Sequence, residues 1–346
     1  MAIQFDFCAL GAIGEVQDFL RQHWSANHVL VRSSALMDWQ HRDDAAGRYN
    51  FLLARDDGGA VIGMLGFIPT GRYDTDLAET RQTVWLTTWM VRRDCSSGLG
   101  LMLLRSLTSR LRPRWIGTVG LNPATRDLYR ALGYRVGTLD RHYLLNEAKA
   151  GQVLARLPSQ WPEMPRPGGD ATLQPLSAAT FMEVAMARDL DRNRQTPRKS
   201  LVYFQRRYLQ HPFYEYRAYL VTDKDAAAVV MTRACRHDGA IALRVVDFLG
   251  DPAALAGSGP AFRRLLDETG AEYLDFYCSG LAAELAAAGF KILAAEDGLI
   301  LPGHFEPFDR RNVDLMYALL GEGALDIVCK GDADQDRPNS VVETAP

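Results

Sequence analysis

The chain has 346 residues, 47% hydrophobic and 23% charged, with a formal net charge of −3. This is the composition of a soluble globular protein of about two domains, without the basic excess that nucleic acid or an anionic membrane surface attracts. No apolar run approaches the roughly 20 residues that span a bilayer, the first residues lack a signal-peptide pattern, and the five scattered cysteines (Cys8, Cys95, Cys235, Cys278, Cys329) form neither a CxxC nor a Cys/His metal spacing. A reduced cytoplasmic protein without a bound metal is expected.

Residues 2–8 read as a strand, and Ile13, Val16, Phe19 and Leu20 give residues 13–24 helical periodicity. Ser33-Ser34 caps a second short helix through Leu36, Met37 and Trp39. Residues 50–55 and 61–67 form a hairpin around Asp56-Asp57-Gly58-Gly59. A loop leads to the apolar run Val84–Val91, a polar turn, and Gly98-Leu99-Gly100, which opens an apolar-periodic helix through Leu111. A strand over 115–121 and a helix ending at Leu132-Gly133-Tyr134 follow, then short strands at 134–138 and 141–146.

Residues 151–170 carry Pro158, Pro162, Pro165, Pro167, Gly168 and Gly169 and read as a linker. Beyond it come helices at 181–190 and 201–209, a strand at 216–222, a hairpin (227–233 with 240–248), a helix (259–270), a strand (271–278), a helix (280–288) and a strand (291–294). Residues 331–346 read as a tail. The order hairpin, helix, strand, helix, Gly-aromatic, strand occurs twice. Leu132-Gly133-Tyr134-Arg135-Val136 answers to Ala288-Gly289-Phe290-Lys291-Ile292. Two copies of one mixed sheet with helices on both faces are expected. At the same offset, Asn122 answers to Cys278 and Tyr129 to Leu285, so the chemistry is expected in the first copy alone.

A glycine loop that opens a helix binds anions, because unpaired N–H groups and the helix dipole face outward there. Gly98-x-Gly100 alone also suits a plain helix start. No Gly-Lys-Ser/Thr follows, which excludes a Walker loop, and Leu103 stands where a dinucleotide fingerprint needs its third glycine.

Val91, Gly98-Leu99-Gly100, Asn122 and Leu128-Tyr129-x-x-Leu132-Gly133-Tyr134 together resemble the GNAT superfamily of acyl-CoA-dependent N-acyltransferases. The resemblance covers roughly residues 2–146. It implies an α/β (α+β) fold of two tandem GNAT-like domains, each a mixed, mostly antiparallel sheet flanked by helices: a catalytic domain over 1–150, a linker over 151–170, a degenerate copy over 171–330 and a tail over 331–346. The implied donor is acetyl-CoA or another acyl-CoA. The backbone of Met90, Val91 and Arg92 would bind its pantetheine; Ser97, Gly98, Leu99, Gly100 and Leu101 its pyrophosphate; Asn122 the cofactor arm. Tyr129 would protonate the leaving thiolate; otherwise its ring simply packs in the core. The family's usual Arg or Gln three residues before the first glycine is here Cys95. Phe305-Glu306-Pro307-Phe308 and Asp334–Asn339 also resemble bacterial tandem-domain members tied to surface-sugar biosynthesis.

The acceptor site implied by that architecture lies between the first helices and the strand 84–91. His23, Asn27, His28, Trp39, His41 and Thr87 fall in that neighbourhood. His28 starts an apolar run and is the preferred general base; Trp24, Asn27, Trp39 and Thr87 are the acceptor-binding candidates. The tryptophans (24, 39, 85, 89) suit a core or an aromatic wall. Asp332, Asp334, Asp336 and Arg337 read as a solvated run, or as a tail folded back over the cleft. Arg192, Arg194, Arg198 and Lys199 read as a solvated loop, or as contacts to a nucleotide's phosphates. The expected activity is N-acyl transfer to a primary amine of a small molecule such as a free or nucleotide-linked amino sugar. A homodimer is compatible with it, and nucleic acid or membrane partners are not expected. The rivals are an aminoacyl-tRNA-dependent ligase, a protein N-acetyltransferase and a non-catalytic acyl-CoA-binding module.

Overall fold

The hairpin at the centre of the first half is apolar on both faces. Its strands, Arg48–Arg55 and Val61–Pro69, are buried along nearly their whole length, as continuous apolar runs are when helices cover both sides of a sheet. In the turn between them the Asp56 carboxylate accepts the N–H groups of Gly58 and Ala60, both at 3.0 Å. A computed structural model describes residues 3–77, 82–95, 98–149, 151–159, 163–192, 195–305 and 308–337.

The elements of the first half are β1 (Gln4–Ala9), α1 (Ile13–His23), α2 (Val29–Arg32), α3 (Ser34–His41), β2 (Arg48–Arg55), β3 (Val61–Pro69), β4 (Thr83–Val91), α4 (Leu99–Leu111), β5 (Trp115–Val119), α5 (Arg126–Ala131), β6 (Arg135–Thr138) and β7 (Asp140–Leu145). The second half adds β8 (Thr172–Leu176), α6 (Phe181–Ala187), α7 (Leu201–Phe204), β9 (Tyr216–Asp223), β10 (Ala226–His237), β11 (Ala240–Gly250), α8 (Gly259–Thr269), β12 (Tyr273–Ser279), α9 (Ala282–Ala287), β13 (Lys291–Ile292), β14 (Met316–Gly321) and β15 (Val328–Cys329). Among the described residues no helix is long and apolar enough to cross a membrane.

The strands form two eight-stranded, mixed and mostly antiparallel sheets. The first runs β1-β2-β3-β4-β5-β14-β6, with Arg42–Asp43 beside β2; the second runs β13-β7-β12-β11-β10-β9-β8, with β15 beside β12. Each repeats one scheme, in which antiparallel hairpin strands lead to a parallel pair, β4–β5 or β11–β12. In each, the strand next to the last comes from the other half of the sequence: β14 in the first sheet, β7 in the second. Sequence periodicity finds β7 but not its partner, and it misses β14 and β15 altogether.

By contacts the described chain divides into two compact units. The first holds residues up to Thr118 with Leu319–Glu322 and Arg337; the second holds Val119–Ala318 with Gly323–Asp336. In the first, Val16, Phe19 and Leu20 of α1 and Leu99, Leu103, Leu104 and Leu107 of α4 are buried. Each such side chain contributes about 1.5–3 kcal/mol. In the second, residues 151–159 are held by a buried carboxylate: Glu272 accepts the N–H groups of Val153, Leu154 and Ala155 at 2.6–2.9 Å.

Two solvated readings are overturned. Asp332, Asp334 and Asp336 are only 1%, 7% and 6% exposed. Asp332 pairs with Lys199 at 2.7 Å and Asp336 with Arg233 at 2.9 Å. Arg207, in the π-helical turn that continues α7, donates to the carbonyls of Gly331 and Ala333. Lys199 is therefore not in a solvated loop, and Arg198 bonds Asp191. Arg194 lies outside the described residues. The sequence signals that these charges are buried are weak, because each finds its partner across long sequence separations.

Candidate active site

The strand β4 changes partners along its length. Against β3 it carries a bulge: Leu65 pairs with Trp89 and Phe67 with Leu86, so Thr87 and Thr88 together face Gly66. A bulge twists a strand and interrupts its ladder. On the other side, the parallel ladder to β5 runs from Thr83–Trp115 to Trp85–Gly117 and stops there, although both strands continue. Met90 and Val91 lie in the stretch beyond, half-buried.

At the end of β4, Arg92 N–H donates to the Ile62 carbonyl at 2.9 Å, and Cys95 N–H to the Arg92 carbonyl at 3.1 Å. Cys95 thus closes the turn. The Arg92 side chain pairs with Asp94 at 2.6 Å. Ser97 lies outside the described residues. Gly98 caps α4 with φ 110°, a left-handed conformation natural to glycine. Leu99 is buried, whereas Gly100 and Leu101 are half-buried. A Cβ on Gly100 would come within 3.2 Å of the Trp89 indole nitrogen, so this glycine also lets α4 lie close on β4. The first turn of α4 offers orphan N–H groups and the positive end of its dipole.

The acceptor-side candidates sit in the same unit. His28 caps α2, its Nδ1 accepting the Leu30 N–H at 3.3 Å. Burial, then the Arg337 charge, lower its pKa to about 4. With Nδ1 accepting, the neutral ring carries its proton on Nε2, so the lone pair a base needs is already engaged. Trp24 packs edge-on against His28 at 5.4 Å, yet it is 50% exposed and is not core. Asn27 is exposed, its N–H bonded to the Ser25 hydroxyl. Trp39 is half-buried, tilted against Tyr73, with its carbonyl held by Arg72. Thr87 is half-buried, and its Oγ1 is buried without a hydrogen-bond partner among the described residues.

Asn122 and Tyr129 belong to the second unit. Asn122 is exposed and caps the turn Pro123–Thr125, accepting the Ala124 N–H at 3.0 Å. Tyr129 is 2% exposed and packs edge-on against Tyr134 at 5.0 Å. Burial, reinforced by Tyr134, raises its pKa and keeps the phenol protonated. Also in this unit, Asp247, Cys329 and Asp332 bring three ligand-type atoms within 4.8 Å of one another. The Lys199 ammonium bonds both carboxylates there, at 2.5 and 2.7 Å.

Residues 16–134 match the acetyltransferase (GNAT) family. That stretch is about a third of the chain, and over it the chain is similar to GNAT acetyltransferases. No curated protein matches the sequence. A GCN5-related N-acetyltransferase from Anabaena variabilis is 14% identical with a TM-score of 0.54, over 92% of this chain and 72% of that one. A probable N-acyltransferase from Enterococcus faecalis is 11% identical with a TM-score of 0.51, over the same shares. Saccharomyces cerevisiae N-myristoyltransferase, solved with bound myristoyl-CoA, is 11% identical with a TM-score of 0.45, over 98% and 85%. The first two likenesses speak for the fold alone.

Proposed function

We propose that the protein transfers an acyl group, acetyl in the first instance, from acyl-CoA to a primary amine of a small molecule. The observation that carries this reading is β4. It is bulged against β3, its ladder to β5 ends at Trp85, and it leads into a glycine-capped helix. Pantetheine would run along Met90–Arg92, with the pyrophosphate on the N–H groups of Gly98–Leu101. A backbone N–H near Val91 would polarise the thioester carbonyl.

Both substrates are bound together. The amine nitrogen attacks, the N–C bond forms and the C–S bond breaks. Tyr129 gives its hydroxyl proton to the sulfur and regains one from water, and the amine's surplus proton leaves to water. A thiol's pKa is about 8.5, so a modest acid suffices. His28, whose buried Nε2–H is left to donate, orients the acceptor rather than taking its proton; Trp24, Asn27, Trp39 and Thr87 line the acceptor side. An amino sugar, free or nucleotide-linked, is the acceptor class that the sequence resemblance favours, and the cytoplasm is the compartment. The test is thiol release from acetyl-CoA across a panel of amines and amino sugars. Release with an N-acetylated product supports the reading; acetyl-CoA binding without release on any amine assigns the fold to binding instead.

A further inference from the structure

In the second unit, β10 outruns its partner. Its ladder with β9 ends at the pair Tyr216–Arg233, while β10 itself continues to His237. At that end, beside the segment that leads into β9, lies a cavity of about 280 Å³. Three arginines line it, Arg217, Arg233 and Arg236, with a single carboxylate, Glu215, and the rings of Phe213 and Tyr214.

Arg233 is the fixed member. It is 9% exposed. Its Nε and Nη2 donate to the two oxygens of Asp336 at 3.0 and 2.9 Å, and its Cζ lies 3.9 Å from the centre of the Tyr214 ring. The paired fork and the ring hold the guanidinium in one orientation. Its Nη1 takes no part in that pair. Asp336 is shared: its carboxylate also accepts from the Tyr216 hydroxyl at 2.8 Å and lies 3.8 Å from the buried Lys330 ammonium. One carboxylate thus stands against two buried cations. Burial, then the Arg244 charge, lower the Lys330 pKa to about 7, so the positive charge of this cluster is held at a cost that an added anion would relieve. Arg217 and Arg236 are exposed. Nε and Nη2 of Arg217 both donate to Oε1 of Glu215, at 3.1 and 2.9 Å, with both side chains mostly in water. Such a pair holds weakly, and the oxygens of a ligand can displace Glu215 from it.

We propose that this cavity binds the diphosphate group of a small organic phosphate. Three guanidinium groups offer more N–H donors than one carboxylate accepts, whereas a diphosphate brings several charged oxygens for them. Phe213 and Tyr214 give the organic part of the ester an apolar wall. Nucleic acid fits this site less well, because the arginines line one cavity rather than a basic stripe and the chain carries a net charge of −3. The site is independent of the N-acyltransferase reading.

Calorimetric titration of the full chain with UDP and, separately, with inorganic pyrophosphate tests it. UDP should bind saturably and at least as tightly as pyrophosphate. Arg217→Gln and Arg236→Gln should each weaken UDP binding by about 10-fold, as the loss of a charge-assisted hydrogen bond does. Glu215→Gln, which releases Arg217, should tighten it by about 2- to 5-fold, an effect that damage to the fold does not produce. Arg188→Gln, at an exposed arginine outside the cavity, should leave it unchanged. The substituted side chains are all exposed, so unchanged circular dichroism is expected of each variant. Absence of UDP binding, an affinity unaltered by Arg217→Gln and Arg236→Gln, an equal loss in Arg188→Gln, or weaker binding in Glu215→Gln overturns the proposal. Pyrophosphate bound with UDP excluded overturns the organic ester.

Discussion

Replacing Lys199 with methionine should destabilise the second unit by about 3–5 kcal/mol at pH 7, the usual effect of removing one partner from a buried ion pair. Lys199 is 2% exposed, Asp247 0% and Asp332 1%. The carboxylates are otherwise served by neutral donors: Tyr208 hydroxyl and Phe248 N–H to Asp247 at 2.7 and 2.8 Å, and Cys329 N–H to Asp332 at 2.6 Å. Without the ammonium, two buried negative charges face each other and one must take up a proton. Burial already raises Asp332 to about 6 against the pull of Lys199, and the substitution raises it further. A carboxyl whose folded pKa lies above its unfolded value near 3.9 stabilises fully below that value, and the contribution is lost as pH rises through the folded pKa. The variant's deficit should therefore shrink as pH falls from 7 toward about 4. Urea unfolding followed by circular dichroism gives the free energy. At about 2–4 °C per kcal/mol for a unit of this size, the melting temperature should fall by about 6–20 °C. A loss below about 1 kcal/mol at pH 7, or a deficit that deepens on acidification, refutes the reasoning.

Other outcomes follow from single residues. Tyr129→Phe should lower kcat by about 100-fold, the lower end for general acid catalysis, and leave acetyl-CoA affinity unchanged by calorimetry; unaltered turnover removes the acid role. Gly98→Val, at φ 110°, should strain the cap by about 1–2 kcal/mol and weaken CoA binding, and an unchanged affinity would separate the loop from the pyrophosphate. Burial alone would raise Asp275, but Arg244 and Arg141 outweigh it and hold its carboxyl at about 2. Against an unfolded value near 3.9, Asp275 should contribute about 2–3 kcal/mol above that pH and lose it as pH falls toward 2. Acid titration of the unfolding midpoint should show this limb in wild type; its persistence in Asp275→Asn would assign it elsewhere.

The sequence made the first half largely legible. An apolar run, a polar turn and Gly98-Leu99-Gly100 before a leucine stripe specify β4, its turn and α4, because glycine placement and 3.6-residue periodicity are local signals. Strand pairing is not local. Nothing in Arg141–Asn146 says that β7 lies between β12 and β13, and the short run around Met316–Gly321 does not announce β14. Charge patterning misled for the same reason. Asp332 and Asp336 read as solvated because Lys199 and Arg233, which neutralise them, are more than a hundred residues away. His28 and His41 both lay in the expected neighbourhood, but their roles depend on which ring nitrogen is engaged, by Leu30 N–H in one and the Phe67 carbonyl in the other. Sequence does not encode that visibly.

Hydrogen exchange of the full chain with and without acetyl-CoA measures most directly whether β4 and the start of α4 hold the donor. The expected result is slowed exchange confined to peptides covering Leu86–Arg92 and Gly98–Leu103, since a bound thioester and pyrophosphate would engage those backbone N–H groups. Acetyl-CoA binding that protects only peptides of the second unit, around β11 and β12, would contradict the assignment.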